Sequence, residues 1–282
     1  FNNLCSHVTI VEKQKHLMAP MDDVMSAELE KELRQKGIDV YCDATVTEIL
    51  EEEGGLSCVI TPNGEGGPVK MRAGQILMAI GRRPNVEKLL GRDISLEMEG
   101  GKIAVNSDFE TSVRGIYAIG DVSARTQLAH VAAAQGTYVV ERIAGRPHSI
   151  KLEVVPNGMY VSLPIVPNCI YTDPEIATVG ITEEIAREKG LKVRCGHFSM
   201  RENGKSIITG GENGFIRLVF EAYFNTIVGA QMMCPRATDM IGEIATAIAN
   251  GLSAEEMSFA MRAQPTYNEG IGAAIEDAMR KK

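Results

Sequence analysis

Thr111-Ser-Val-Arg-Gly-Ile-Tyr-Ala-Ile-Gly-Asp121, followed six residues on by Gln127-Leu-Ala-His130, joins a short apolar run to a helix start. The run Gly115–Ile119 reads as a strand that Gly120-Asp121 stops. A carboxylate then sits at a strand's carboxyl end, where ligands bind in open α/β sheets. Gln127–His130 opens an Ala-rich helical stretch that reaches Arg142 and breaks at Gly145-Arg-Pro147. A helix start offers free N–H groups and a positive dipole end, which suit an electron-rich ligand edge. A plain strand, a turn and a packing histidine fit the same residues, so both readings stand at this point.

Toward the N-terminus, Val8–Val11 is a β-branched strand with Glu12 at its end. Asp22-Asp23 opens a helix on which Met25, Leu29 and Leu33 share one face, and Lys36-Gly37 closes it. Ile38–Tyr41 is a second strand. Ala44–Glu53 and Leu56–Thr61 flank Gly54-Gly55 as a hairpin. Gln75–Ile80 reads as another strand, stopped by Gly81-Arg82-Arg83-Pro84-Asn85, and Ile103–Val105 as a short one. The prolines of 153–167 mark a domain boundary.

Beyond it, strands are predicted at Cys169–Tyr171, Val193–Ser199, Phe215–Glu221 and Thr226–Met233. Helices are predicted from Thr182 to Gly190, over Asp239–Asn250 and over Asn268–Arg280, with a capping box at Ser253–Glu256. This last third reads as α+β.

The chain has 282 residues and a net charge of −8. That length suits roughly two domains. The acidic balance argues against nucleic acid as a partner. No apolar run is long enough to span a membrane, and the first residues carry no secretory pattern. Six cysteines, at positions 5, 42, 58, 169, 195 and 234, show no zinc or redox spacing. Free thiols and a cytoplasmic setting are therefore expected, with no metal site. With Phe1 in place of Met, a fragment or a processed product is expected.

TSVRGIYAIGDV with QLAH resembles the second flavin-binding motif of the FAD-dependent pyridine nucleotide–disulfide oxidoreductases. VTIVEK and AIGRRPN resemble the NAD-domain motifs of that family. PNCIYTDPEIATVGITEE, GAQMMCPRATDMIGEIA and QPTYNE resemble its C-terminal dimerisation domain. Within the family the pattern is most similar to the dihydrolipoamide dehydrogenase branch. The resemblance covers essentially the whole chain, in order.

It implies an α/β chain: a partial Rossmann-like NAD-binding domain over 1–85, a central FAD-domain return segment over 86–155, and an α+β dimerisation domain over 156–282. Asp121 would bind the FAD ribityl chain. Gln127, Leu128, Ala129 and His130 would face the flavin pyrimidine edge. Glu12 would hold the NAD adenosine ribose, Val46 would lie near the adenine, and Gly81 would line the nicotinamide side. A homodimer is implied, as is a lipoyl-bearing 2-oxo acid dehydrogenase complex as partner.

Two departures follow. The family's Gly-rich FAD turn, its CxxxxC pair and the first strand and turn of the NAD unit are absent. Residues 1 to ~150 are thus expected to belong to a larger protein, with only the C-terminal domain folding alone. The family's His-x-His-Pro-Thr motif, with a Glu three residues on, is here Arg262-Ala-Gln-Pro-Thr-Tyr-Asn-Glu269. Gln264 stands where the family has its catalytic base, and Glu269 where it has the acid that orients that base. An amide cannot titrate near neutral pH. Drift in a redundant copy and a changed substrate explain Gln264 equally well. Three functions remain open: a dihydrolipoamide dehydrogenase-like oxidoreductase, an NADH:acceptor diaphorase or oxidase, and an inactive dimerising remnant.

Overall fold

The computed structural model describes residues 1–18, 21–91, 93–124, 126–155, 162–211 and 213–281. The N-terminal part opens with β1 (Thr9–Val11), α1 (Asp23–Gln35) and β2 (Asp39–Tyr41), and β1 pairs with β2 in parallel. This is a right-length β-α-β unit, and its helix is well defined at both ends. The Asp22 carboxylate accepts the Val24 N–H at 2.8 Å, and Gly37 turns the chain at φ +77°. Met25, Leu29 and Leu33 are buried along one face, as their spacing predicts.

A three-stranded antiparallel sheet follows: β3 (Ala44–Glu52), β4 (Gly55–Pro62) and β5 (Val69–Ala73). The predicted hairpin is present, with a bulge between Val46 and Glu48. Gln75–Ile80 is not a strand. It is a segment without regular structure in which Leu77, Met78 and Ile80 are 77%, 70% and 91% exposed. Apolar residues make a strand only where a neighbouring edge takes up their backbone groups, and among the described residues none does.

The middle is sparse. β6 (Met98–Glu99) pairs with β7 (Lys102–Ile103), and Gly115–Ile119 forms only an isolated bridge between Glu110 and Tyr117. The predicted helix is α2 (Ala129–Ile143). β8 (Glu153–Val154) pairs with β9 (Leu163–Pro164) across the predicted boundary, of which residues 156–161 lie outside the described residues.

The C-terminal part is a five-stranded antiparallel sheet. Its strands are β10 (Asn168–Ile170), β11 (Ile176–Gly180), β12 (Val193–Ser199), β13 (Phe215–Glu221) and β14 (Ile227–Met233), in the order β10-β11-β14-β13-β12. The helices are α3 (Glu183–Glu188), α4 (Gly204–Thr209), α5 (Ala237–Asn250), α6 (Ala254–Ser258) and α7 (Glu269–Arg280). The central strands are buried on both faces, and alternate residues serve different layers. Ile216, Leu218, Ala230 and Met232 pack under α5 and α7, against Ile244, Ile248, Ala274 and Ile275. Each fully buried aliphatic side chain here contributes about 1.5–3 kcal/mol.

The opposite face is shared. Val219 and Val228 meet Ile181 and Ala186 of the α3 region. Phe215, Met233 and Ile176 meet Met25, Leu29 and Leu33 of α1. The C-terminal sheet therefore does not stand alone; the N-terminal helix completes its outer core. Asn213 donates to Glu32 at 2.8 Å, Arg217 pairs with Asp22 at 3.7 Å, and Lys36 pairs with Asp173 at 2.5 Å across the same junction.

The exposed edge strand β12 is closed by α7. Asp277 accepts the His197 N–H at 2.8 Å, Lys281 donates to the Cys195 carbonyl at 3.2 Å, and the two side chains pair at 2.7 Å. No helix among the described residues is long and apolar enough to cross a membrane.

Candidate functional site

Gly120 ends the central segment in a left-handed turn, at φ +68°. A Cβ at this position would sit 2.9 Å from the Ala132 Cβ, so only glycine lets the turn lie on α2. The buried Gln135 side chain accepts the Gly120 N–H at 2.8 Å and fixes the turn against the helix. Asp121 follows in a short 3₁₀ turn, its side chain 42% exposed and 4.0 Å from Arg82. Gln127 donates to the Asp121 carbonyl at 3.4 Å. Leu128 begins α2 without a side-chain cap. His130 is exposed, its Nε2 2.9 Å from the Pro167 carbonyl oxygen.

Asp121, Gln127 and the α2 start are thus brought together, and Arg82 brings the Gly81 loop toward them. Gly81 itself is at φ +113°, exposed and with open space around it. An uncapped helix start, a partly exposed carboxylate and a glycine turn pressed on the helix fit a ligand that carries both hydroxyls and an electron-rich ring edge.

Glu12 lies at the end of β1, where its carboxylate accepts the Gln14 N–H at 2.7 Å. Val46 packs with Val11 and Ile76 around Ala44, Cys58 and Ile60. The strand end that carries Glu12 and the segment that leads to Gly81 therefore share one small core. Among the described residues no group of three or more His, Cys, Asp or Glu could hold a metal ion.

The third region is the loop from Arg262 to Glu269. Glu269 accepts the Thr266 N–H at 2.8 Å, and Asn203 donates to the Thr266 carbonyl at 3.0 Å. Tyr267 and Thr209 share a hydroxyl hydrogen bond of 2.8 Å. Arg262, with a side chain 9% exposed, pairs with Glu243 on α5 at 2.5 Å, and Asn268 donates to the other Glu243 oxygen at 2.9 Å. Gln264 is exposed and has no hydrogen bond among the described residues. Glu269 thus braces the loop backbone rather than the side chain at 264. Arg262, Glu243, Asn268 and Asn203 escaped the sequence reading, because nothing local announces partners that lie 19 to 63 residues away.

Two profiles of one family match the chain in succession. Residues 1–136 match the pyridine nucleotide-disulphide oxidoreductase profile, and residues 166–275 match the dimerisation domain of the pyridine nucleotide-disulphide oxidoreductases. The chain belongs to the pyridine nucleotide–disulphide oxidoreductase family.

Among curated proteins it is similar to dihydrolipoyl dehydrogenase of Geobacillus stearothermophilus, 33% identical over 99% of this chain and 57% of that protein. The dihydrolipoyl dehydrogenase of Chlorobaculum tepidum is 32% identical over 98% of this chain and 56% of that protein. The chain thus spans just over half the length of these relatives. Its fold is that of LpdA of Mycobacterium tuberculosis, with a TM-score of 0.85 at 24% identity, covering 100% of this chain and 57% of that one. The HOCl-induced flavoprotein disulfide reductase RclA of Escherichia coli gives a TM-score of 0.83 at 19% identity over 99% of this chain and 60% of that one.

Proposed function

We propose that the chain is the NAD-binding and dimerisation part of an FAD- and NAD-dependent oxidoreductase of the dihydrolipoyl dehydrogenase type. The observation that carries this is the Gly120-Asp121 turn pressed on the uncapped start of α2, in a chain that aligns over 99% of its own length with 57% of a dihydrolipoyl dehydrogenase. In this reading Asp121 accepts hydrogen bonds from the ribityl hydroxyls. The N–H groups at Gln127–His130 face the flavin pyrimidine edge, and their dipole stabilises negative charge there. Glu12 accepts hydrogen bonds from the adenosine ribose and disfavours a 2′-phosphate. Val46 flanks the adenine, and Gly81 leaves room beside the nicotinamide. A bound flavin supplies the step between two-electron dithiol chemistry and hydride transfer.

The division into 1–85, 86–155 and 156–282 belongs to the same reading. So does a longer polypeptide whose remaining sheet covers Leu77, Met78 and Ile80, exposed here beside a two-stranded β1–β2 pair. The dimerisation domain supports a homodimer. The chain's free thiols and acidic charge suit a cytoplasmic protein without nucleic-acid partners. A lipoyl-bearing 2-oxo acid dehydrogenase complex is the partner this reading gives the chain.

A second reading rests on Gln264. It is exposed and, among the described residues, unpaired, and Glu269 is committed to Thr266. An amide takes no proton from a dithiol, so electrons would pass from NADH to an acceptor that needs no base, as in a diaphorase. Gln264→His in the full-length holoenzyme separates the two. A positioned base is worth about 10²–10⁴ in rate. A rise of that order in dihydrolipoamide turnover supports the first reading. NADH-dependent dye reduction with no dihydrolipoamide turnover before or after the change supports the second. An apoprotein that takes up neither flavin nor NADH sinks both.

A further inference from the structure

β1 ends at Val11, and the loop that carries Glu12 is held beyond it by three consecutive carbonyls. The Ala44 N–H donates to the Glu12 carbonyl at 3.1 Å, and the Asp43 N–H donates to the Gln14 carbonyl at 2.8 Å. The Lys13 carbonyl between them takes its donor from a side chain 50 residues away, Asn63 Nδ2, at 3.1 Å.

Asn63 stands just past the end of β4, and its amide is committed at both ends. Nδ2 also donates to Asp43 Oδ1 at 3.0 Å, and Oδ1 accepts from the Thr45 hydroxyl at 3.2 Å. The Thr45 bond leaves the nitrogen, with its two hydrogens, facing the two oxygens. The Asn63 N–H donates to the Asp43 carbonyl at 2.8 Å, so the side chain is anchored at its root. Asp43 itself sits at φ +49°, a left-handed turn that a short polar residue tolerates. The Glu12 carboxylate accepts the Gln14 N–H on Oε1, and its Oε2 has no hydrogen bond among the described residues. The loop is thus fixed along its backbone, while one carboxylate oxygen is left for a ligand.

We infer that Asn63 is a positioning residue for the dinucleotide: by joining the Lys13 carbonyl to the Asp43 turn, its amide sets the angle at which the Glu12 carboxylate meets the adenosine ribose hydroxyls. The inference rests on the reading of Glu12 as the ribose acceptor, and Asn63 acts through Glu12. A carboxylate holds two neighbouring hydroxyls well only when both bonds are aligned, so a small tilt of the loop loosens the grip.

Titration calorimetry of the full-length holoenzyme with NAD⁺ and with ADP-ribose tests this without turnover. Asn63→Ala is expected to raise Kd for both about threefold to tenfold, as the loss of a modest hydrogen bond does. ADP-ribose keeps the adenosine ribose and lacks the nicotinamide, so an equal rise for both assigns the effect to the ribose end. Thr47→Ala removes a hydroxyl pair with Thr61 on the same hairpin, 3.0 Å apart, and is expected to leave both constants unchanged. Asn63→Asp sets a carboxylate against Asp43 and the Lys13 carbonyl, and is expected to weaken binding at least as much as Asn63→Ala. Asn63→Asp/Asp43→Asn exchanges donor and acceptor, and is expected to recover part of the loss, since asparagine tolerates the left-handed turn. On a Glu12→Ala background, Asn63→Ala is expected to change Kd no further.

Amide exchange reads the loop directly. Asn63→Ala is expected to speed exchange at Asp43 and Ala44, with Cys58 and Ile60 unchanged. Loss of protection spread through β4, a rise in Kd for NAD⁺ without one for ADP-ribose, or additivity with Glu12→Ala overturns the positioning role. So does an unchanged Kd in Asn63→Ala where Glu12→Ala raises it, and the reading of Glu12 then stands. A Kd unchanged in Glu12→Ala, or a parent holoenzyme that takes up no NAD⁺, overturns both.

Discussion

Replacing Asn213 by Ala strips the contact that ties the C-terminal sheet to Glu32 of α1. Glu32 is 2% exposed, its Oε2 accepts from Asn213 at 2.8 Å, and its Oε1 has no partner. The substitution leaves both oxygens of a buried group unsatisfied. Such a loss costs about 1–3 kcal/mol, and about 2 kcal/mol corresponds to a roughly 30-fold change in an unfolding equilibrium. Urea unfolding followed by circular dichroism reads the global effect, and exchange at Leu29 and Leu33 reads the local one. The double variant Glu32→Met/Asn213→Ala removes the stranded group and adds an apolar side chain beside Leu29 and Leu33. It is expected to regain stability to within about 0.5 kcal/mol of the parent. A loss below about 0.5 kcal/mol for Asn213→Ala, or a double variant no better than the single one, refutes the reasoning.

Three further outcomes are expected. Ser253→Ala removes the hydroxyl that accepts the Glu256 N–H at 3.2 Å in the capping box of α6, and should lower stability by about 1 kcal/mol in a thermal melt. His197 is held below its ordinary value of 6.5 by burial and by Arg217, against the opposing pull of Asp277 and Glu202. Its contribution is therefore complete above pH 6.5 and lost as the pH falls through the lowered folded value; His197→Phe should flatten that slope in a pH series of denaturation midpoints. Burial pushes the Cys195 and Cys234 thiols up to about 12, so iodoacetamide at pH 8 should spare both in the folded chain while alkylating the exposed Cys5, with mass spectrometry as the readout.

The strands that define the C-terminal sheet are legible in the sequence because their apolar residues pack into a core: Phe215–Glu221 is buried almost throughout, and the partly exposed edge strand Val193–Ser199 sends Val193, Cys195 and Phe198 inward. Val193–Ser199 and Phe215–Glu221 form with the predicted bounds. The helix carrying Met25, Leu29 and Leu33 is legible for the same reason, since spacing reports a buried face directly. Gln75–Ile80 misleads because its apolar composition says nothing about whether a neighbouring strand is present to pair with it. Ile176–Gly180 goes unnoticed because five residues between Pro174 and Thr182 are too short to show a period. Thr209 and Asn203 meet the Thr266–Tyr267 turn only through tertiary structure, so the motif locates Gln264 and Glu269 but not what holds their loop. Gly196 is a further case. A Cβ there would lie 1.9 Å from the Ala274 carbonyl oxygen, a close approach of α7 to β12 that no local pattern encodes.

The shared core of α1 with the C-terminal sheet has a consequence for how the chain is made. Glu32 and Asn213 are 181 residues apart, and Phe215 and Met233 lie further on still. A ribosome adding about 5–20 residues per second takes about 10–40 s to produce the surface that covers Met25, Leu29 and Leu33. Through that interval the apolar stripe of the first helix has left the exit tunnel without its eventual cover. The nascent chain is then at its stickiest through that interval, when a holding chaperone would mask the stripe and a pause-free coding sequence over the middle segment would shorten its exposure.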